Sequence, residues 1–529
     1  MKKIINYLKS KRNFIHIFFL ISIILIAFLL RSKQYLFGDF NYNLDQSRDL
    51  LLVKDIVEKH KLTLIGGRSG FGGIFHGPLW LYIILPFFIV TKGNPYLTLV
   101  PLYIIFDIGL IVLGYFLISN LFNKTTGLLS ALFLAISGSL IGSSYNFSNS
   151  NIMPLIFLLY LFLSVKFLRG KNNYFFSILF VLGIGFQFQS AFAVFLIPLL
   201  FILILIKKEL PKSKMLFLGA LSFGLSVATF ILFDIRHGFL MSRSALKILL
   251  GKTPPMAGYG EFANINFRVI DRLNGFINYF FRPLNSQNMV INMMTIIILI
   301  GFVALIFKIK NKKQTSFNKE VIFISIIPVL YFSIYIFYPY PLWSHYTNAL
   351  TVSACLILSL AISNLFELNY RYISSSLKIF LFIILIPVFI WIFKNYIPKN
   401  LKLEGGYLKQ LSVAQYIFDD AKNKPFGYLV YDHGQLTYNM DYLMWWLGKT
   451  YNIPIVNNKQ PLTYLIIYSP PKFAVNAPKY WKKDVIKTQG VVINKINFSK
   501  DITVEKLKID NIDKESPVDP NYFQNLIFR

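Results

Sequence analysis

Cysteine, acidic residues and histidine are all scarce in this sequence. Its 529 residues include one cysteine, Cys355, so an intramolecular disulfide is excluded. The six histidines are scattered without a His-x-x-x-His spacing, and close acid pairs have no histidine beside them, so no metal-binding motif is present. A Gly-x-Ser-x-Gly elbow is also missing, which argues against a serine hydrolase of the α/β type.

The large positive charge does not indicate a nucleic-acid-binding protein. Lys and Arg outnumber Asp and Glu by 54 to 24, but they form short clusters that bracket apolar runs, with no zinc-finger, P-loop or RNA-binding signature. Hydrophobic residues make up 55% of the chain, and the mean hydropathy of +0.54 lies outside the usual range of soluble proteins. The composition therefore predicts a polytopic α-helical membrane protein whose basic clusters are topological anchors, without a nucleic-acid partner.

The first apolar run predicts an uncleaved membrane span with its N-terminus in the cytoplasm. The charged start MKKIINYLKSKR precedes a run that is too long for a signal peptide, and no small-residue cleavage site follows it. Placing five basic clusters in the cytoplasm gives about eleven transmembrane helices and an extracytoplasmic C-terminus. The predicted spans are 13–30, 97–121, 126–142, 152–168, 174–187, 190–206, 215–233, 289–308, 320–338, 346–363 and 377–394.

One short apolar segment and the end of the chain depart from this pattern. GPLWLYIILPFFIV (residues 77–90) contains two prolines, and counting it as a span would invert the side of every later basic cluster, so we expect a re-entrant or surface helix. After about residue 395, short strand-like runs alternate with helical stretches, which predicts a soluble α/β domain. The expected domains are 1–394, with a first outer loop of interfacial helices over 31–96, and 395–529.

Asp45, Arg48 and Asp49 stand at the first membrane exit, in the segment NLDQSRDLLLVKDIVEKH. This segment is typical of an amphipathic surface helix, with both acids on one side of its N-terminal end and Arg48 three residues after Asp45. Acidic side chains at this position also interact favourably with the positive N-terminal end of the helix dipole. The role of Asp49 could therefore be either to stabilise the helix or to bind substrate. A carboxylate that faces a cavity can accept a proton from a hydroxyl group, and we expect Asp45 to act as a general base.

Polar and cationic residues collect on the expected outer face, where a hydrophilic substrate would meet the protein. In the glycine-rich stretch IGGRSGFGGIFHGP, backbone N–H groups could approach a ligand closely. The stretch is equally suited to be a flexible connection between two interfacial helices. Cationic side chains at a span end on the outer face are unusual, because Lys and Arg prefer the cytoplasmic side. Their presence there favours a role in binding a lipid phosphate. Snorkelling of these side chains to the lipid headgroups explains them equally well. The candidate substrate-binding residues are Arg48, Asp49, His76, Asn149, Asn151, Gln189, Arg236, His237, Arg243, His345 and Tyr346.

The order of these features resembles the GT-C superfamily of membrane glycosyltransferases, in its protein O-mannosyltransferase and aminoarabinose-transferase-like branch. The likeness covers about the first two-thirds of the chain. It is carried by LDQSRD, FHGPLWLYIILPFF, NSNIMPLIFLLYL, GIGFQFQSAF, FDIRHGF and SHYTNAL. It implies transfer of a sugar from a polyprenyl-phosphate donor to an acceptor on the outer side of the membrane, with Asp45 as the catalytic base.

Three departures from the family pattern limit what the resemblance implies. Asp45-Gln46 stands where family members commonly have Asp-Glu, and Asn149 and Asn151 stand where an acid often opens a later span. Both changes remove carboxylates, which weakens the case for the divalent metal that some relatives hold, and no other cofactor is implied. FHGP also only approximates the family's His-Pro-Pro or Lys-Pro.

The sequence leaves two alternatives to glycosyl transfer open. A transporter or flippase of a lipid-linked sugar would share the cavity, the aromatic residues and the cations but would need no base, although the inverted repeats common in transporters are not evident. A polymerase or ligase of lipid-linked glycans would differ only in its acceptor. We expect an inverting glycosyltransferase of the plasma membrane that transfers a hexose or pentose to a hydroxyl group of a lipid, glycan or protein.

Overall fold

A computed structural model describes residues 11–32, 35–250, 264–276, 315–366, 406–433 and 436–519, with the single residues 252, 262 and 390. The chain divides into two compact units. The first consists of Met1–Lys33, Arg68–Trp80 and Val100–Leu401, and the second of Gln34–Gly67, Leu81–Leu99 and Lys402–Arg529.

Twenty α-helices are described. In chain order they are α1 (Lys11–Arg31), α2 (Leu44–Lys59), α3 (Leu79–Val90), α4 (Pro95–Leu121), α5 (Lys124–Ile136), α6 (Gly138–Tyr145), α7 (Met153–Leu168), α8 (Tyr174–Phe188), α9 (Ser190–Lys207), α10 (Ser213–Ser226), α11 (Ala228–Arg236), α12 (Leu240–Leu249), α13 (Ile265–Phe276), α14 (Thr315–Ile336), α15 (Ser344–Thr347), α16 (Leu350–Phe366), α17 (Gly406–Ala421), α18 (Tyr438–Tyr451), α19 (Ala477–Tyr480) and α20 (Asn511–Glu515). Short 3-10 turns occupy Tyr35–Phe37, Asn149–Ile152 and Lys472–Ala474, and a π-helical turn occupies Trp481–Val485.

Within the described residues, five helical segments are long and apolar enough to cross a membrane: Phe14–Arg31, Pro95–Leu121, Asn149–Leu168, Ser190–Lys207 and Lys319–Ile336. The number is seven if each of two bent pairs counts as one span, α5 with α6 (49°) and α10 with α11 (64°). Because α3 has only 12 residues, it is about 18 Å long and does not cross about 30 Å of hydrocarbon by itself.

Each predicted span within the described residues coincides with a helix or a bent pair of helices. The predicted span 126–142 coincides with the bent pair α5 and α6, because α6 starts anew at Ser137, whose side chain accepts a hydrogen bond from the Leu140 backbone N–H. The predicted span 215–233 likewise coincides with α10 and α11, which are separated at Val227. The predicted span 289–308, and the predicted span 377–394 apart from residue 390, lie outside the described residues. The count of eleven crossings therefore stays a prediction.

A five-stranded sheet forms the core of the C-terminal part of the second unit. Its strands β1 (Phe426–Tyr431), β2 (Ile455–Val456), β3 (Leu462–Tyr468), β4 (Val491–Asn497) and β5 (Ile502–Lys508) lie in the order β2-β1-β3-β5-β4. β1 pairs in parallel with β2 and β3, and β5 is antiparallel to β3 and β4. Parallel strands are covered on both faces, and β1 is buried along its whole length.

The two faces of β1 pack against different parts of the domain because successive side chains point to opposite faces. On one face, Leu429 and Tyr431 join a buried apolar cluster that includes Trp481. On the other face, the Phe426 ring contacts Phe418 of α17, with their centroids 5.1 Å apart. This packing produces an α/β domain with α17 on one side of the sheet.

Residues 34–67 and 81–99, which were predicted to belong to the domain 1–394, are grouped in the second unit with the chain after residue 401. The Phe40 and Tyr407 rings stack with their centroids 4.9 Å apart, and the Tyr407 backbone N–H donates to the Phe40 carbonyl over 3.1 Å. Burial of these aromatic rings supplies a hydrophobic driving force for this association. As a result, α2 belongs to the same compact unit as the sheet.

Candidate functional site

Asp45, Arg48 and Asp49 lie together in the first turns of α2. The helix begins with a capping box, in which the Asn43 side chain accepts from the backbone of Gln46 and the Gln46 side chain accepts from the Asn43 N–H over 2.8 Å. The amide at position 46, where the family commonly has an acid, therefore closes the helix cap. This local structure fixes the start of the helix that presents all three charged side chains.

The Arg48 guanidinium is shared between the two carboxylates. Its Nη1 lies 2.9 Å from Asp45 Oδ1, while Nη2 lies 2.9 Å and Nε 3.1 Å from Asp49 Oδ1. Burial lowers the pKa of Arg48, but the two carboxylates outweigh this effect and raise its pKa above the ordinary value. Arg48 is therefore a permanent cation, held by two charge-assisted contacts on its own helix.

The two acids differ in exposure, and so in what they can do. The Asp45 side chain is 55% exposed, whereas the Asp49 side chain is 4% exposed. Asp49 is the buried counter-ion of Arg48, and Asp45 presents an open carboxylate to incoming molecules. Of the three, Asp45 is the group that can accept a proton from a substrate hydroxyl.

Glycines of the stretch IGGRSGFGGIFHGP allow close approach of other chain segments within each unit. In the second unit, a Cβ at Gly67 would collide with the Arg48 guanidinium. In the first unit, Gly73 has a positive φ of 76°, and a Cβ there would collide with Ser244 of α12. The stretch is therefore closely packed at Gly67 and Gly73, and its glycine spacing is not that of a P-loop.

Several predicted site residues of the first unit surround the turn between α8 and α9, which we call the α8–α9 turn (Gln187–Ser190). The Asn149 side chain donates from Nδ2 to the Phe188 carbonyl over 2.7 Å. The Gln189 side chain donates from Nε2 to the His345 carbonyl over 2.8 Å. Tyr346 lies beside His345, with ring centroids 4.5 Å apart. The structure thus brings together residues that are up to about 200 positions apart in the sequence.

Asn151 has a structural contact close to this turn. Its Nδ2 donates to the Ser143 carbonyl at the end of α6 over 2.6 Å, and its Oδ1 accepts from the Ser148 N–H over 3.2 Å. Asn348 also donates to the Ser143 hydroxyl over 2.7 Å. Asn151 therefore joins the bent helix pair to the start of α7.

Gly77 and Gln187 connect the α8–α9 turn to other segments of the first unit. Neither was selected as a site residue from the sequence. The Gly77 N–H donates to the Gln187 carbonyl over 2.9 Å. The Gln187 side chain donates from Nε2 to the Ser226 carbonyl over 2.9 Å, at the break between α10 and α11. The paired glutamines of GFQFQS were the available signal, but only packing shows that Gln187 joins two segments. His76, which precedes Gly77, is half-buried and lies beside this junction.

The predicted cations lie at the junction of α11 and α12. Arg236, His237 and Arg243 are all exposed, and within the described part of the chain Arg236 and Arg243 form no ion pair. The carbonyl of Phe233 only accepts, so the His237 Nδ1 that lies 2.8 Å from it donates, which leaves Nε2 available. Asp234, by contrast, is buried and caps α12 by accepting from two backbone N–H groups.

No metal centre emerges from the part of the chain that the structure describes. Among those residues, no group of three or more His, Cys, Asp or Glu side chains is placed to hold a metal ion. The amides of Gln46, Asn149 and Asn151 make backbone hydrogen bonds instead. The described residues therefore offer no set of ligands for a divalent metal, and no chemical step is assigned to one.

Comparisons with known proteins identify the fold. The family model of dolichyl-phosphate-mannose-protein mannosyltransferases matches residues 75–233. ArnT from Cupriavidus metallidurans, whose crystal structure holds undecaprenyl phosphate, superposes with a TM-score of 0.57 at 8% identity, over 93% of this chain and 97% of that one. The Archaeoglobus fulgidus oligosaccharyltransferase, crystallised with zinc and sulfate, superposes with a TM-score of 0.52 at 12% identity, over 85% of this chain and 68% of that one.

Among curated proteins, none matches this chain by sequence. At such low identities the structural likenesses establish the fold alone. Together with the family match, they confirm the resemblance that the sequence motifs carry. The chain has the GT-C fold of membrane glycosyltransferases and resembles their protein O-mannosyltransferase and aminoarabinose-transferase-like branch.

Proposed function

We propose that this protein is a glycosyltransferase that moves a sugar from a polyprenyl-phosphate donor to an acceptor hydroxyl group at the outer face of the plasma membrane. The family match and the GT-C fold support the reaction class. The observation that carries the proposal is the open carboxylate of Asp45, held at one oxygen by Arg48 at 2.9 Å. In the proposed orientation, the N-terminus is cytoplasmic and the C-terminal α/β domain is extracytoplasmic.

The proposed reaction is a single displacement. The acceptor hydroxyl gives its proton to the Asp45 carboxylate while its oxygen forms a bond to the anomeric carbon of the sugar. The bond between that carbon and the phosphate oxygen breaks, and its electron pair stays on the phosphate. Polyprenyl phosphate leaves with one additional negative charge, and the configuration at the anomeric carbon inverts because attack and departure occur on opposite faces.

Arg236, His237 and Arg243 are assigned to the donor phosphate. They are exposed cations or hydrogen-bond donors at the end of a predicted span, where a lipid-borne phosphate would lie. Positive side chains stabilise charge that develops on the leaving phosphate, and this electrostatic effect is commonly a large contribution to catalysis. The bound undecaprenyl phosphate of the ArnT structure supports a polyprenyl-phosphate donor here as well.

The polar residues around the α8–α9 turn are assigned to the sugar. Gln189 is 2% exposed, and within the described residues its Oε1 has no hydrogen-bond partner. A buried acceptor without a partner is unfavourable, and a sugar hydroxyl would satisfy it. We assign His76, Asn149, Asn151, His345 and Tyr346 to the same sugar site, while Arg48 and Asp49 orient the base.

The experiment that tests the proposal is release of polyprenyl phosphate from a panel of radiolabelled polyprenyl-phosphate sugars, with purified protein and crude envelope acceptor. We expect Asp45→Asn to slow release about 100- to 10,000-fold and to leave donor binding intact. Asp55→Asn is the matched control, because Asp55 is another acid of α2 that pairs with Lys59, and it should turn over like wild type. Wild-type turnover in Asp45→Asn would refute the base assignment.

A transporter or flippase of a lipid-linked sugar is the second candidate. The two bent helix pairs favour it, since broken helices are frequent at transporter binding sites. A transporter needs no general base. Donor binding without turnover, in wild type and Asp45→Asn alike, would support this candidate over the transferase.

A further inference from the structure

The C-terminal domain contacts α2 at both of its ends. α18, the helix that follows β1, lies against α2. Near the start of α2, Ser47 Oγ donates a hydrogen bond to Asn439 Oδ1 over 2.6 Å. Near its end, Trp445 Nε1 donates to Glu58 Oε1 over 3.0 Å, and Lys449 Nζ lies 3.0 Å from the same oxygen. The two helices are therefore joined along their length.

The chain that leads into α2 is held by the same domain. The Tyr42 carbonyl accepts from Gln410 Nε2 over 3.1 Å and from Asn439 Nδ2 over 3.4 Å. Earlier in the chain, Asp39 Oδ1 accepts from the Leu408 N–H over 3.0 Å. α17 and α18 together thus hold the approach to the helix as well as the helix itself.

Asn439 links these two sets of contacts. Its Oδ1 accepts from Ser47, two residues after Asp45, and its Nδ2 donates to Tyr42, three residues before Asp45. Ser47 is fully buried, so its hydrogen bond is shielded from competing water. Among the described residues, the Asp45 carboxylate forms an ion pair only with Arg48 of the same helix. The position of that carboxylate therefore depends on where α2 is held.

A catalytic group has to be placed within about 0.5 Å of its productive position. α2 has 16 residues, and a helix of about this length is marginally stable in water unless other elements pack on it. We propose that the C-terminal domain is the rigid support of the catalytic helix, and that Asn439 is a positioning residue for Asp45. The inference rests on the proposed function, because it takes Asp45 as the general base.

Asn439→Ala in the full-length protein tests the inference. We expect kcat to fall about 10- to 100-fold, since a displacement of about 1 Å is enough for such a loss, while the donor KM changes less than about twofold. Backbone amides in the first turns of α2 should also exchange hydrogen for deuterium faster than in wild type. Thr450→Ala is the matched control, because within the described part of the chain the Thr450 hydroxyl on α18 donates only to the Trp446 carbonyl, and the variant should change neither readout.

Two further variants separate positioning from a general loss of folding. Ser47→Ala removes one of the two hydrogen bonds that Asn439→Ala removes, so the Ser47→Ala/Asn439→Ala double variant should be no slower than Asn439→Ala alone. In the Asp45→Asn background, Asn439→Ala should cause no additional loss of rate. Wild-type kcat and exchange in Asn439→Ala, or a full additional loss in the Asp45→Asn background, would overturn the inference.

Failure of the proposed function gives a different result. In that case Asp45→Asn would match wild type in turnover, whereas Asn439→Ala would still accelerate exchange in α2. The exchange measurement thus reports on the support of α2 independently of any reaction.

Discussion

Gly77 approaches Gln187 so closely that no side chain fits at position 77. The Gly77 N–H donates to the Gln187 carbonyl over 2.9 Å, and a Cβ at Gly77 would lie 2.7 Å from the Gln187 Cα and would collide with its side-chain amide. Part of this clash is with backbone, which cannot rotate away. The glycine of the FHGP sequence is therefore required by packing against the α8–α9 turn.

Gly77→Ala should destabilise the protein. Overpacking of this kind costs about 1–3 kcal/mol, and the change should appear as a lower melting temperature in detergent. Gly72→Ala is the matched control, because a Cβ at Gly72 meets no atom within 4 Å. Equal melting temperatures for the two variants would show that the turn adapts to a side chain at position 77.

Arg48→Lys should lower the rate of sugar transfer about tenfold or more, because a lysine cannot reproduce the planar contacts that Arg48 makes with two carboxylates. The initial rate of polyprenyl phosphate release measures the effect. Lys59→Arg changes an exposed cation of the same helix and should leave the rate unchanged. A wild-type rate in Arg48→Lys would show that the orientation of Asp45 does not depend on the guanidinium.

Asp513→Asn should destabilise the α/β domain by about 3–5 kcal/mol at neutral pH, because it leaves a buried cation without its counter-ion. Lys459 Nζ lies 2.9 Å from Asp513 Oδ1, and both side chains are buried. Asp501→Asn is the control, since Asp501 pairs with Lys409 at an exposed site and such pairs contribute about 1 kcal/mol or less. Equal melting temperatures for the two variants would contradict the prediction.

The effect of Asp513→Asn should also depend on pH. Burial raises the pKa of Asp513, but hydrogen bonds from Thr488, Lys459 and the Gln489 N–H outweigh it, and the net pKa lies below the ordinary value. The stabilisation is therefore complete above the unfolded-state pKa of about 3.9 and is lost as the pH falls through the folded-state pKa. The difference in melting temperature between wild type and variant should narrow below about pH 4.

Asp441→Asn should have the opposite pH dependence. Burial raises the pKa of Asp441 to about 6, although hydrogen bonds from Thr437 and Tyr428 partly lower it. Because the folded state binds this proton more tightly than the unfolded state, stability is lost as the pH rises from about 4 through about 6. Asp441→Asn has no proton to lose at this position, so it avoids this loss of stability. Its melting temperature should exceed that of wild type at pH 7.5 but not at pH 4. If the melting temperature of the variant exceeded that of wild type at both pH values, the stabilisation would not arise from titration of Asp441.

The helix that carries Asp45 could be predicted from local sequence alone. The segment Asn43–His60 was expected to be helical, and α2 covers Leu44–Lys59 with Asn43 and His60 as its caps. Its apolar residues lie within the helix and its capping residues directly flank it, so neighbouring residues carry the whole signal. The apolar runs of the predicted spans are local in the same sense, which explains why each predicted span within the described residues coincides with a helix or a bent pair of helices.

The breaks at Ser137 and Val227 were not predicted. Hydropathy averages over a window of residues, and both breaks lie within continuous apolar runs. A single serine that caps a new helix changes the chain direction without changing the average. The structure, in contrast, shows the bend directly in the two helix axes.

Local sequence is sufficient to predict that this chain enters the membrane, that it has the motifs of a GT-C glycosyltransferase, and that Asp45 lies at the start of a capped helix. The contact of Asn439 with Ser47, which is 392 residues away in the chain, and the contact of Gly77 with Gln187 are visible only in the folded protein. Periodicity and capping are properties of neighbouring residues. Contacts between distant segments depend on how the whole chain packs, and no local pattern records them.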